Sequence, residues 1–84
     1  MILMERMGLS EFSTFMGIPE DELIVRISKL TIRKQIVIRM NYGMYPYGRK
    51  FTLEEIAEQF HVARARVRQV RDLALKELRG DAPT

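Results

Sequence analysis

Apolar residues recur along this chain at helical spacing, and no stretch shows the strict alternation of a half-buried strand. Five helical segments follow. The first covers roughly Ile2 to Met16, with Ile2, Leu3, Met4, Met7, Leu9, Phe12, Phe15 and Met16 as its apolar set. Gly8 and Ser10 weaken its middle, and Gly17 suits a helix C-terminus. The second starts at Pro19, a favoured first position, with Glu20, Asp21 and Glu22 set against the positive end of the helix dipole, and it ends near Ser28 to Leu30. Thr31 caps the third, Ile32 to Asn41, which Gly43 stops. Residues 43–50, GMYPYGRK, form a turn-rich loop. Thr52 with Glu55 spells a capping box at the head of the fourth helix, Leu53 to Phe60. His61 and Val62 make the next turn. The fifth helix runs from Ala63 to about Arg79, closed by Gly80 and Pro83, with residues 81–84 as a frayed tail.

The expected fold class is all-α: a small bundle of about five helices ending in a helix-turn-helix. Residues 1–30 form a front helical segment and residues 31–80 the main unit. On a wheel centred on Val67, the residues Ala63, Val70, Ala74 and Leu78 form one apolar stripe, while Ala65, Arg68, Gln69, Asp72 and Lys76 lie opposite. Leu53, Ile56, Ala57 and Phe60 supply the matching face of the preceding helix, and Val62 plugs the turn. The third helix is different. Ile32, Ile36 and Met40 line one face, but Val37, Ile38 and Tyr42 point elsewhere, so it is apolar nearly all round and expects burial on two sides. Either the front segment folds back over the extra surface, or part of it, with the off-stripe Leu73, is a docking groove for a partner. The two outcomes are compatible.

Eighty-four residues allow one domain with a short arm, and 46% hydrophobic content at regular spacing argues for a folded chain. A chain of this size buries only about 60% of its unfolded surface, so its core is thin. The absence of cysteine excludes disulfides and thiolate metal sites, and the single His61 leaves no histidine pair. There is no nucleophile–base constellation and no phosphate-binding glycine loop, so an enzyme is not expected, and no cofactor is implied. Nor does any apolar run approach the ~18 residues of a membrane span. Charge is informative through its distribution. Residues 1–30 carry three basic and five acidic groups, residues 31–60 five and three, and residues 61–79 six and two. Four arginines, Arg64, Arg66, Arg68 and Arg71, fall within eight residues at the start of the fifth helix, where the dipole disfavours cations. A polyanion partner relieves that conflict, and double-stranded DNA is the expected one.

The run from Leu30 to Arg79 resembles region four of the housekeeping-type (sigma-70 family) bacterial sigma factors. The matching pieces are Leu30-Thr31 with Arg33, the Val37-Ile38-Arg39-Met40 run, Tyr42-Gly43, then Thr52-Leu53-Glu54-Glu55-Ile56. Phe60, Val62, Arg64, Arg66-Val67-Arg68-Gln69-Val70, Ala74-Leu75, Lys76, Leu78 and Arg79 complete them. The resemblance implies binding to a −35-like promoter element and to the flap of the RNA polymerase beta subunit, in a bacterial cytoplasm. It implies base contacts from Arg64 and Gln69, contacts near the DNA from Arg33, Arg66 and Arg68, and a phosphate at the helix start of Thr52 and Leu53. Arg71 adds positive charge where the family has Glu and, with Arg33 and Arg66, is expected to neutralise DNA phosphates.

Departures from the pattern alter the expectation. Ala65 stands where the family has a Glu that can accept from cytosine N4, so sequence preference there should relax or change. Ala63 replaces a Thr or Ser cap, losing about 1 kcal/mol of local support. His61 sits where Gly or Asp is common, and Leu73 where Lys is. The clamp-binding and promoter-melting part of a sigma factor has no counterpart, and the chain contains no Trp. The expected function is therefore a stand-alone region-four-like transcription regulator that binds polymerase, DNA or both. Two alternatives remain: a region-four mimic acting on polymerase or a sigma regulator without reading DNA, and a free-standing dimeric repressor. The sequence leaves the oligomeric state open.

Overall fold

Helix α3 (Ile32–Tyr42) runs through the middle of the molecule with a different apolar layer on each side. The computed structural model describes residues 6–80, in the order α1 (Leu9–Met16), α2 (Glu20–Ser28), α3, α4 (Leu53–Phe60) and α5 (Arg64–Leu78). The described residues contain no strand. Both expected caps are present: Thr31 accepts from the Lys34 amide, and Thr52 and Glu55 close a reciprocal capping box. Among the described residues no helix is long and apolar enough to cross a membrane.

Val37 and Met40 of α3 pack with Ile56, Ala57, Val67 and Val70 to form the core of the helix-turn-helix. Ile38, completely buried, points the other way and joins Leu9, Phe12, Leu23, Ile27 and Leu30 of the front segment. Ala74, Leu75 and Leu78 of α5 complete that second layer. The front segment thus does fold back, over Ile38. Ile32 at the head of α3 stays 71% exposed and Ile36 half-buried. Met40 lies in the helix-turn-helix core at 5% exposure, so the expected Ile32–Ile36–Met40 docking stripe is broken at its last member.

Several expectations need correction. The first helix is shorter than Ile2–Met16: Gly8, at φ +77°, begins α1 instead of interrupting it. The portion at residues 2–5, and the tail at 81–84, lie outside the described residues. Pro19 caps α2 from outside, in an extended conformation, and α3 runs one residue further than Asn41. Ala63 is exposed as the cap residue of α5 and takes no part in the stripe. Leu75 is buried although it lies about 80° from Val67 on the wheel, because α2 packs on α5 from a second side.

Two glycines set how the front segment seats. A Cβ on Gly8 would lie 2.7 Å from the Gly43 carbonyl oxygen, so the entry to α1 and the exit of α3 meet backbone to backbone. Beside them the Tyr45 amide donates to the Met7 carbonyl at 3.2 Å. At the far end, Arg26 donates to the Leu78 carbonyl at 2.6 Å, satisfying an orphan acceptor at the C-terminus of α5. Lys34 pairs with Glu77 on the same turn.

These contacts lead to two stability predictions, both readable by urea denaturation. Ile38→Ala is expected to cost about 2–5 kcal/mol as a buried cavity, and Ile32→Ala less than about 0.5 kcal/mol. Gly17, at φ +70°, has nothing within 4 Å of an added Cβ, so Gly17→Ala reports left-handed strain alone, about 1–2 kcal/mol. Gly8→Ala should cost clearly more. Equal losses at the two glycines would contradict the backbone contact.

Candidate nucleic-acid interface

The fourth helix ends in His61, which adopts a left-handed backbone (φ 56°, ψ 44°) and turns the chain sharply into α5. Only glycine takes that conformation without strain, so His61 carries a cost that the more usual Gly would avoid. The Val62 amide bonds back to the Ala57 carbonyl at 3.1 Å, and the Val62 side chain packs on the helix-turn-helix core. This turn holds α5 against α4 and leaves the outer side of its first two turns in solvent.

Arg64, Ala65, Arg66, Arg68 and Gln69 are all exposed there. A shallow depression is lined by Ala65, Arg66, Arg68, Gln69 and Asp72, which groups Gln69 with Arg68 and Ala65 but leaves out Arg64, the other expected base-contacting residue. Ala65 forms its floor because it has no side chain beyond Cβ. Arg66 donates to the Gln69 side-chain oxygen at 2.9 Å, which orients both. Arg68 reaches Asp72 only at 3.9 Å.

Arg33 borders the same surface from α3. Its guanidinium sits 5.5 Å from the Phe60 ring centre, and a crevice lined by Phe60, Val62 and Val67 separates it from Arg66. On the opposite flank Arg64 lies 4.0 Å from Glu54 in the first turn of α4. That pair places Thr52 and Leu53 beside the start of α5. Thr52 is exposed but commits its hydroxyl and amide to the capping box, while the Leu53 side chain is half-buried on the core. The capping box uses the Thr52 hydroxyl as an acceptor, so its O–H and the first-turn backbone of α4 can both donate to an anion there.

Arg71 stands apart. Its side chain is 24% exposed, grips Asp72 at 3.0 Å, and sits close enough to Tyr42 to act on its charge. Burial raises the Tyr42 phenol, and Arg71 and Arg79 partly offset that. Leu73 is half-buried and Ile32 lies open on α3.

The electrostatic pattern is lopsided. Helix α5 has no acidic residue in its first turn and no side-chain cap at Ala63. Arg64 and Arg66 thus stand at the positive end of the dipole, with Glu54 as the carboxylate near Arg64. Helix α4 is the reverse. Its Glu55 accepts two bonds from Arg49, at 3.2 and 2.8 Å, and one from the Thr52 amide. Arg49 first, then the Thr52 amide, hold its carboxyl down from 4.5 to about 2. Sequence reasoning missed Glu54, Asp72 and Arg49 as partners in this surface. A charge six residues ahead of a capping Glu was the available signal for Arg49.

A basic helix presented by a tight turn from a shorter capped helix is the layout of a helix-turn-helix. Comparison with known proteins gives the family. The model for sigma-70, region 4 matches residues 26–80, and the chain belongs to that family. It is similar to RNA polymerase sigma factor SigA of Clostridium acetobutylicum, 38% identical over 60 residues, which are 71% of this chain and 16% of that protein. SigA of Lactococcus lactis subsp. cremoris is 46% identical over 50 residues, 60% of this chain and 14% of that protein. RpoD of Helicobacter pylori is 42% identical over 53 residues, 63% of this chain and 8% of that protein. The chain therefore spans less than a fifth of the length of these relatives. No solved structure matches it significantly.

The depressed Glu55 carboxyl predicts a pH signature. A group whose folded pKa lies below its unfolded value contributes stability above the unfolded value and loses it as pH falls through the folded one. Glu55→Gln keeps the capping acceptor but not the charge. The variant should melt below wild type at pH 7, and the gap should close between about pH 4.5 and pH 2. A gap that stayed constant across that range would contradict the assignment.

Proposed function

We propose that this chain is a transcription regulator that binds promoter-region DNA and RNA polymerase. Helix α5 lies in the major groove, with Arg64, Arg68 and Gln69 at base edges and Arg33 and Arg66 toward the phosphates. The observation that carries this reading is the cluster of exposed arginines on the first two turns of α5, which has no side-chain cap and whose carboxylate neighbours stay 3.9–4.0 Å away. A cation array at the positive end of a helix dipole is unfavourable alone, and duplex DNA supplies the missing negative charge. Ala65 removes a polar base contact from the middle of the set, so specificity should be looser than a Glu there would give. Arg71 contributes to the general field and not to a phosphate bond, because Asp72 already holds it.

The similarity to proteins whose names read RNA polymerase sigma factor supports polymerase as the protein partner, with the beta-subunit flap as the expected contact. A second reading, contact with polymerase or a sigma regulator without base reading, is favoured by Ile32. This large apolar side chain is 71% exposed at the head of α3.

The two readings separate on Arg68→Ala/Gln69→Ala. Under DNA reading, this double variant should lose about 1–3 kcal/mol of discrimination between a −35-like duplex and a scrambled one, measured by fluorescence anisotropy. It should still recover RNA polymerase from a bacterial lysate. Regulation of a reporter that survives the double variant unchanged would remove base reading and leave the protein-contact version.

A further inference from the structure

The loop before α4 ends in two consecutive cations that this reading leaves unused. The Arg49 and Lys50 side chains are 56% and 63% exposed. Arg49 lies 3.8 Å over the Phe51 ring with its fork on Glu55. Lys50 reaches only Glu11, at 3.4 Å, whose side chain is 76% exposed. Neither cation swings freely at its backbone. The Phe51 amide donates to the Met40 carbonyl at 2.8 Å, and the Asn41 side chain donates to the Phe51 carbonyl at 2.9 Å. A Cβ on Gly43 would lie 3.1–3.2 Å from the backbone and side chain of Arg49 and Lys50, so this end of the loop rests on the end of α3.

Their place relative to α5 follows from two ion pairs on one helical turn. Glu54 meets Arg64 at the head of α5, and the neighbouring Glu55 meets Arg49. Glu54 and Glu55 thus bring Arg64 and Arg49 to one turn of α4, and Lys50 follows Arg49 on the side toward α1. A helix fills most of a major groove about 12 Å wide, so side chains flanking it meet sugar–phosphate backbone and not bases.

Resting on the DNA-binding reading above, we propose that Arg49 and Lys50 form a second phosphate-contacting element, gripping the backbone along the α4 edge of the groove. The planar fork that Arg49 now gives to a carboxylate matches phosphate oxygens equally well, and the Phe51 ring keeps its plane oriented. Glu55 can release it without being stranded, because its Oε1 still accepts from the Thr52 amide in an exposed setting. The contact adds affinity without sequence preference. It also fixes the angle at which α5 enters the groove.

The test is anisotropy with a fluorescein-labelled 30-base-pair duplex of arbitrary sequence, titrated across a salt series. Each lost phosphate contact flattens the dependence of log affinity on log salt by about 0.9, so Arg49→Ala/Lys50→Ala should flatten it by about 1.8. The charge-preserving Arg49→Lys/Lys50→Arg variant should keep the wild-type slope, which separates charge from any loss of folding. If the alanine pair keeps the wild-type slope while Arg66→Ala flattens it, the loop is not in the footprint and the α5 reading stands. If wild type shows no salt-dependent duplex binding, both readings fall together.

Discussion

Everything in this molecule hangs on a helix that cannot be satisfied from one side. Helix α3 carries Val37 and Met40 on one flank and Ile38 on the other, all at 5% exposure or less. Two helices packed on one flank would leave Ile38 in water. A bundle too small to wrap a central helix twice would forfeit that burial, worth about 1.5–3 kcal/mol for a single such side chain. The front segment supplies the second wrap. It brings Leu9, Phe12, Leu23 and Ile27 to Ile38, and in doing so reaches across to Leu75 and Leu78 of α5. The helix that presents the arginines is thus held by both layers.

This arrangement divides labour along α5. Its C-terminal half is core, tied by the Arg26 bond to the Leu78 carbonyl and by the Lys34–Glu77 pair. Its N-terminal half is surface, with charges whose neighbours, Glu54 and Asp72, approach only loosely at 4.0 and 3.9 Å. Exposed pairs of that kind contribute little to stability, so an anion can displace them at small cost. The buried contacts and the exposed charges therefore occupy opposite ends of one helix.

Much of this was legible in residue order. The capping box at Thr52 and Glu55 is a local pairing, and its helix begins and ends where the sequence placed it. The all-round apolar character of α3 foretold two-sided burial. What could not be read was set by contacts distant in sequence. Gly8 looked like a flaw inside a long helix because its partner, Gly43, lies 35 positions away. Met40 looked available because a wheel shows which way a residue points and not what arrives there. Leu75 lies off the Val67 stripe on the wheel, and its burial comes from the front segment. Among the charged residues, Arg71 and its neighbour Asp72 satisfy each other, which a count of arginines cannot reveal. That Ala65, Arg68 and Gln69 share one exposed face needed only the period of the helix.

The missing cap at Ala63 has a mechanical meaning. With its root clamped between two layers and its tip uncapped, α5 behaves as a cantilever. Helix ends are weakest in the first turn, and here the uncapped first turn carries Arg64 and Arg66. Compliance is thereby placed at the tip, so the leading side chains can shift while the axis behind them is held by the two layers.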